Sequence, residues 1–470
     1  MNMRDSRRRR AFVLLALVGL LGSSLTAAAH HGSAQLTFTK AYKLPDSKGG
    51  SEPRVIYGPD NTGYLITNTT SGTAVVYTTT DHGLSWKKTA ADPAGQSSPT
   101  IDTDVVIGAD GRIIATELDS QGITFRTSYS DDGGKTWTKS TGMVPADTDR
   151  QFLATGPDGL VYMVWHNLVS GAGVHNIFVQ TSTDNGASFG APVPVTMPGD
   201  QAFAELQCAD GYPSSLSVNP KTGRLYVAFG TRTAPAGGGC GASAVGTFEI
   251  NIVSPTRVWI ATSPDNSPGS WTQSLAVDDS QSGKVVGMVF SPGGLDSRGN
   301  YYVTYPESRS ATDYTGAVKY VWADPMLKKW SKPITVAPIG SGHILPHVVA
   351  GDPGRLFFAY FEGVGKGEET KWYSTVSQTI DGTSASPHFT KVRLSDVPTY
   401  EGSQNIVLGH CGSGATAGLQ AGFLCSRSAD IYGLAIDNDG RLTVTWPSTL
   451  DELGTYVTTQ KTGPSAYAAE

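Results

Sequence analysis

Residues 150–166 read RQFLATGPDGLVYMVWH. Two apolar runs flank a Pro-Asp-Gly turn, and Asp-Gly supplies the positive φ that a tight hairpin needs. The same design recurs along the chain. It is RVIYGPDNTGYLITN from Arg54, DTDVVIGADGRIIATEL from Asp102 and SLSVNPKTGRLYVAFG from Ser215. It is SPGGLDSRGNYYVTYPE from Ser291, HVVAGDPGRLFFAYFEG from His347 and YGLAIDNDGRLTVTW from Tyr432. The turn glycines are Gly63, Gly111, Gly159, Gly223, Gly299, Gly354 and Gly440. Seven hairpins on one plan mark a repeat architecture.

A second pattern follows most hairpins. It is an apolar strand, then Ser/Thr-x-Asp-x-Gly-x-Ser/Thr-aromatic. SYSDDGGKTW (Ser128 to Trp137) is the clearest copy, with TTTDHGLSW (Thr78 to Trp86) and TSTDNGASF (Thr181 to Phe189) close to it. ATSPDNSPGSW (Ala261 to Trp271) and KYVWADPMLKKW (Lys319 to Trp330) are degraded copies. The Asp carboxylate accepts N–H groups of its own turn, the Gly permits the reversal and the aromatic packs beneath the next strand. These aspartates therefore read as folding residues. Hairpin plus box makes a four-stranded blade, and the predicted fold is an all-β propeller. Seven blades are favoured, with six as the alternative. The last hairpin is followed by one further strand, TYVTTQKT from Thr455, so QLTFTKAY (Gln35 to Tyr42) is expected to complete that blade and close the ring.

On these residues the chain resembles the BNR/Asp-box sialidase-like propellers, over essentially its whole length. The box is specific for the architecture and uninformative about activity, since propellers carrying it include sialidases, other glycosidases, polysaccharide lyases, lectins and assembly factors. The sialidases that the chain resembles have six blades, so a count of seven departs from them.

Residues 1–29 read as a signal peptide. Arg7 to Arg10 form a positive n-region, Ala11 to Leu21 an apolar core, and Ala27-Ala28-Ala29 a cleavage site before His30. Arg9-Arg10 fits the twin-arginine route as well as the general one. Residues 30–470 then form one propeller domain in a secreted, extracellular protein. Net charge is −6, and no basic block remains after the signal, which excludes a nucleic-acid or anionic-membrane footprint. No second apolar stretch is long enough to span a membrane. Four cysteines in an exported chain read as two disulfides, most simply Cys208 with Cys240 and Cys411 with Cys425. No cysteine or histidine spacing marks a metal site. No cofactor is expected, a structural Ca²⁺ is not indicated, and the closed ring suits a monomer.

Functional residues belong at the starts of the inner strands and in the loops entering them. Those positions hold Arg54, Asp102, Asp104, Arg150, Asp210, Tyr212, His343, His347, Arg427, Asp430 and Tyr432. The resemblance implies three arginines gripping a sugar carboxylate, a Tyr nucleophile activated by a Glu, and an Asp acid/base. Guanidinium forks match a carboxylate, and a neutral nucleophile avoids a second anion beside it. Transferred to this chain, Tyr432, Asp102 and Glu307 take the catalytic roles, with Glu205 as the other available glutamate. Arg54, Arg150, Arg427 and His347 take the substrate-binding roles. Pro53-Arg54-Val55-Ile56 lacks the Pro that follows Ile in the sialidase motif, and Tyr432-Gly433 replaces the usual Tyr-Ser. Each residue also has a structural reading. Arg150 ties neighbouring blades, Tyr432 is a strand-end aromatic, and Trp165-His166 packs a strand end. The expected substrate or partner is an extracellular glycan or glycoprotein. A glycosidase acting on acidic sugars, a lyase acting on uronates and a non-catalytic binding propeller all fit.

Overall fold

The computed structural model describes residues 35–47, 52–69, 73–93, 100–119, 124–142, 147–167, 174–208, 212–233, 255–287, 290–309, 315–340, 342–402, 432–448 and 454–468. These residues form seven antiparallel blades. The innermost strands are Arg54–Tyr57, Thr100–Ile107, Thr148–Thr155, Pro213–Val218, Gly293–Leu295, His343–Ala350 and Gly433–Ile436. Each pairs through its hairpin with a second strand, such as Val161–Asn167 or Tyr301–Glu307. Those second strands are buried almost throughout, because each is covered on both faces by a neighbouring blade. Their near-continuous apolar runs follow from that position.

The ring closes as the sequence predicts. Thr37–Phe38 pairs antiparallel with Gly454–Thr462, and Tyr42–Lys43 extends the same edge. Across the seam Tyr57 Oη meets Thr443 Oγ1 at 2.7 Å, and Asn438 Nδ2 donates to the Gly58 and Pro59 carbonyls. His82 Nδ1 reaches Asp437 Oδ2 at 2.9 Å and Asp439 Oδ2 at 3.5 Å. A ring seam thus carries both a strand ladder and side-chain ties.

The turns follow the expected chemistry with one exception. Asp110 and Gly111, and Asp158 and Gly159, both take positive φ, the arrangement of a type I′ hairpin. In the first blade Asn61 takes positive φ (63°) instead of Gly63. Gly63 is needed for space, since a Cβ there would lie 2.6 Å from Thr79 and 2.7 Å from Tyr57.

The box aspartates form the turns that their spacing predicts. Asp132 Oδ1 accepts Thr136 N–H at 2.9 Å and Oδ2 accepts Thr136 Oγ1–H at 2.7 Å, while Ser130 Oγ accepts Gly134 N–H. Asp81 and Asp184 repeat this with Ser85 and Ser188. A further copy, not separated out in the sequence, sits at Thr379-Ile380-Asp381. Thr379 donates to Asp381, which accepts His388 N–H at 3.0 Å. An insertion before His388 stretches the spacing and hides it from a fixed pattern.

Bulges concentrate at the opposite end, where the inner strands begin. Register shifts fall between Thr100 and Thr103, Asp149 and Phe152, Pro213 and Ser215, and Ile344 and His347. Glu52, Arg150 and Leu345 take positive φ there (49°, 57° and 52°). Such conformations cost non-glycine residues about 1–3 kcal/mol each and collect at functional sites.

Several carboxylates gain their hydrogen bonds only on folding. Bonds from Thr136 hold Asp132 at about 2, and bonds from Arg257 hold Asp278 at about 2. His343, then Lys391, bring Glu362 to about 2. Folded values lie below the unfolded range near 4, so their stabilisation is complete above that range and is lost as pH falls through about 2. On this account thermal midpoints should fall steeply as the pH drops below 4. A midpoint unchanged at pH 2.5 would contradict this assignment.

Candidate functional site

All seven inner strands border one central cavity of about 210 Å³. Its polar side chains include Arg54, Asp104, Ser214, Ser215, His347 and Tyr432. Arg54 is the accessible charge, with a quarter of its side chain exposed. Its Nε donates to Asp104 Oδ1 at 3.1 Å, and its guanidinium lies 5.2 Å from the Phe152 ring centre. Asp104 Oδ2 accepts Leu153 N–H at 2.8 Å, so one carboxylate ties three blades together and fixes the Arg54 fork. His347 Nδ1 lies 3.1 Å from the Leu345 carbonyl, which can only accept, so the proton sits on Nδ1 and Nε2 is the basic nitrogen. Burial, with Arg54 nearby, pushes its value down to about 3. His347 is thus a neutral ring and a weak base.

A second cluster lies beside the cavity, where the inner strands of blades one to four begin. Arg150 is buried among three carboxyl groups. Its Nη1 lies 3.5 Å from Asp102 Oδ2 and 3.7 Å from Glu52 Oε2, and its Nε lies 3.8 Å from Asp149 Oδ2. Burial, reinforced by Glu52, raises Asp102 well above the ordinary carboxylate value despite Arg150. Asp149 moves the other way. Burial opposes its charge, but Arg150 and His166 hold it ionised. Two neighbouring carboxyls with values pushed apart is the arrangement that acid–base chemistry uses.

The cluster continues into aromatics. His166 ends the second strand of blade three and faces Asp149 across the pair, with Nε2 3.9 Å from Asp149 Oδ2. Its ring meets Tyr212 edge to face at 4.4 Å and is 6.3 Å from His175. Arg150 lies 5.5 Å from the Tyr212 ring and 5.2 Å from Phe290. Phe290 in turn contacts Phe152, beneath Arg54. A phenol, an imidazole and a guanidinium therefore meet at the funnel end of the ring.

The residues singled out in the sequence fall in several separate places. Arg54, His347 and Tyr432 border the central cavity, and Asp102 and Arg150 belong to the buried cluster. Tyr432 packs on Phe361 at 4.5 Å, and burial raises its hydroxyl well above the usual phenol value. Glu307 ends the second strand of blade five, held by Lys319 at 2.6 Å and Lys284 at 2.9 Å. Glu205 lies on the short helix Gln201–Leu206 and bonds Arg257, Trp259, Thr231 and Gln201. Neither glutamate is among the groups contacting Tyr432. His343 donates Nδ1–H to the Gly316 carbonyl and faces Glu362 at 3.7 Å. Arg427, Asp210, Asp430, Cys240, Cys411 and Cys425 lie outside the described residues, and Cys208 is buried.

His166 is the residue that sequence reasoning assigned to packing. Trp165 does pack, against Phe178 at 4.7 Å, but the alternation of the strand turns His166 toward Tyr212. A polar residue closing an otherwise apolar strand was the available signal.

The family described as the BNR repeat-like domain matches residues 64–320. No curated protein matches the sequence. Among solved structures, a PL25 ulvan lyase bound to -[GlcA(1-4)Rha3S]- superposes with a TM-score of 0.54 at 11% identity, over 93% of this chain and 98% of its own. The GH93 α-L-arabinofuranosidase of Fusarium graminearum with arabinobiose gives 0.43 at 14%, over 76% and 92%.

Arg150 is the cation that holds the cluster together. Arg150→Ala should cost about 3–5 kcal/mol, because it leaves Glu52 and Asp149 buried beside Asp102 without their guanidinium. Urea unfolding measures it. A loss below about 1 kcal/mol would show that the carboxyls do not depend on Arg150.

Proposed function

Given that the chain belongs to the BNR repeat-like domain family, we propose that it is an exported, glycan-directed propeller that cleaves an acidic polysaccharide by β-elimination. The observation that carries this reading is the meeting of Tyr212, His166 and Arg150 beside the accessible Arg54.

Eliminating next to a uronate carboxylate needs three things. A cation must stabilise the charge that spreads onto the carboxylate. A base must take the C5 proton. An acid must protonate the departing O4 as the C4–O4 bond breaks and the C4=C5 bond forms. Arg54 supplies a planar fork that Asp104 already orients. Tyr212 is the proposed base, its ring packed against a guanidinium and an imidazole. The proton that it gains can return to O4. His347, near 3, is too weak for that task, and Tyr432 has a hydroxyl raised by burial. Tyr212 and His166 are buried in the free protein, so the substrate has to open the funnel mouth over them. A frame of this shape is used by the ulvan lyase.

A hydrolytic reading has one specific observation in its favour, Asp102 raised by burial beside an Asp149 held ionised. The tyrosine-nucleophile version has less support, because Glu307 is held by two lysines and Tyr432 by Phe361.

Product release separates these readings. The mature protein is incubated with ulvan, alginate, polygalacturonate and sialosides, and the products are read by mass spectrometry and absorbance. Unsaturated uronates are expected, with Tyr212→Phe reducing turnover at least about a hundredfold and Tyr432→Phe leaving it within about threefold. Saturated sugars lost on Asp102→Asn would replace elimination by hydrolysis. No product from any substrate would leave a binding propeller.

A further inference from the structure

The inner strand of blade six opens on a bulge between Ile344 and His347. Within it Leu345 takes a φ of 52°, a left-handed conformation that is strained for leucine. Its carbonyl comes to 3.1 Å from His347 Nδ1, a contact within two residues of chain. The bulge thus fixes both the plane of the imidazole and its tautomer. Nε2 keeps a bare lone pair, and among the described residues it has no hydrogen-bond partner. His347 is 6% exposed and lines the central cavity, so this nitrogen is a buried acceptor that a molecule in the cavity can satisfy.

Arg54 faces the same cavity with the opposite need. Its Nε is committed to Asp104, whose oxygens also take the Val105 N–H and the Leu153 N–H, each at 2.8 Å. Nη1 and Nη2 make no hydrogen bond among the described residues. Ser214 Oγ accepts the Ser291 N–H at 3.0 Å, which leaves its own hydroxyl hydrogen to donate. The cavity therefore offers a guanidinium edge and a hydroxyl to an anion, and an acceptor to a hydroxyl. Its volume of about 210 Å³ lies below the roughly 300–1,000 Å³ of pockets for drug-sized ligands, which limits it to a single sugar unit.

We infer that His347 is a specificity-determining residue, whose Nε2 accepts the hydrogen of a free ring hydroxyl on the uronate that Arg54 holds by its carboxylate. This rests on the acidic-glycan reading above and adds which uronates are admitted. A unit O-acetylated or O-methylated at that hydroxyl has no hydrogen to give. It leaves Nε2 buried and unpaired, and it brings extra bulk into a small cavity. The site selects unmodified uronates.

The test uses the full mature chain carrying Tyr212→Phe to suppress turnover. Calorimetry compares acidic oligosaccharides of ulvan, alginate and polygalacturonate with the same sugars O-acetylated or O-methylated on their ring hydroxyls, carboxylates intact. At least one free sugar is expected to bind about a hundredfold more tightly than its modified form. His347→Asn keeps an amide N–H for the Leu345 carbonyl and removes the acceptor. It should bring that ratio to within about threefold, through weaker binding of the free sugar. His347→Gln carries an amide oxygen out to the Nε2 position and should restore at least about tenfold discrimination. Arg54→Gln should weaken both forms alike and leave the ratio standing. An unchanged ratio in His347→Asn would overturn the inference. So would equal binding of both forms by the parent, or no binding of any of the three acidic sugars. With Tyr212 restored, unsaturated products formed equally from free and modified sugars would reject this role and keep the lyase. Discrimination in binding without any product would keep this role and reject the lyase.

Discussion

The unpaired edge of a β-sheet is the constraint on which this structure depends. Each blade exposes a row of N–H and C=O groups at its outer strand, and a chain of blades left open would expose its two end faces as well. Joining Thr37–Phe38 and Tyr42–Lys43 to Gly454–Thr462 builds one blade from both ends of the described chain. The long-range ties at the seam, from Tyr57 to Thr443 and from His82 to Asp437, link first and last blades. Burial of the second strands on both faces follows from that closure.

Closure also sorts the chain into two ends with different chemistry. At one end the box aspartates satisfy their own turns, with their hydrogen bonds spent locally. At the other the inner strands begin with bulges and three non-glycine residues at positive φ. There the hydrogen bonds and ion pairs run between blades, as from Arg54 to Asp104 and from Arg150 to Glu52 and Asp102. Strain held by cross-blade contacts is characteristic of a site rather than of a scaffold.

The cluster at that end is strongly biased electrostatically. Three carboxyls share one buried guanidinium, and their values are pushed apart: burial raises Asp102, while Arg150 and His166 hold Asp149 ionised against its own burial. The adjoining cavity differs, with a partly exposed Arg54 paired to Asp104 and a neutral His347. Glu307, by contrast, is held by two lysines at the end of the second strand of blade five.

The sequence by itself determined the ring: seven hairpins, the box turns and the closing strand from Gln35 onward. Those features are local, since a turn residue or an alternating run carries its conformation within about ten residues. It also pointed to Arg54, Arg150, Asp102 and His347, because a strand start in a repeat is a position that spacing can count. Tertiary structure alone decided which of them meet. His166 and Tyr212 are 46 residues apart, and only the packing of blade three on blade four brings their rings to 4.4 Å. The upward shift of Asp102 depends on burial beside Glu52. Contacts between blades are set by shape and burial summed over the whole ring, and no local pattern encodes them.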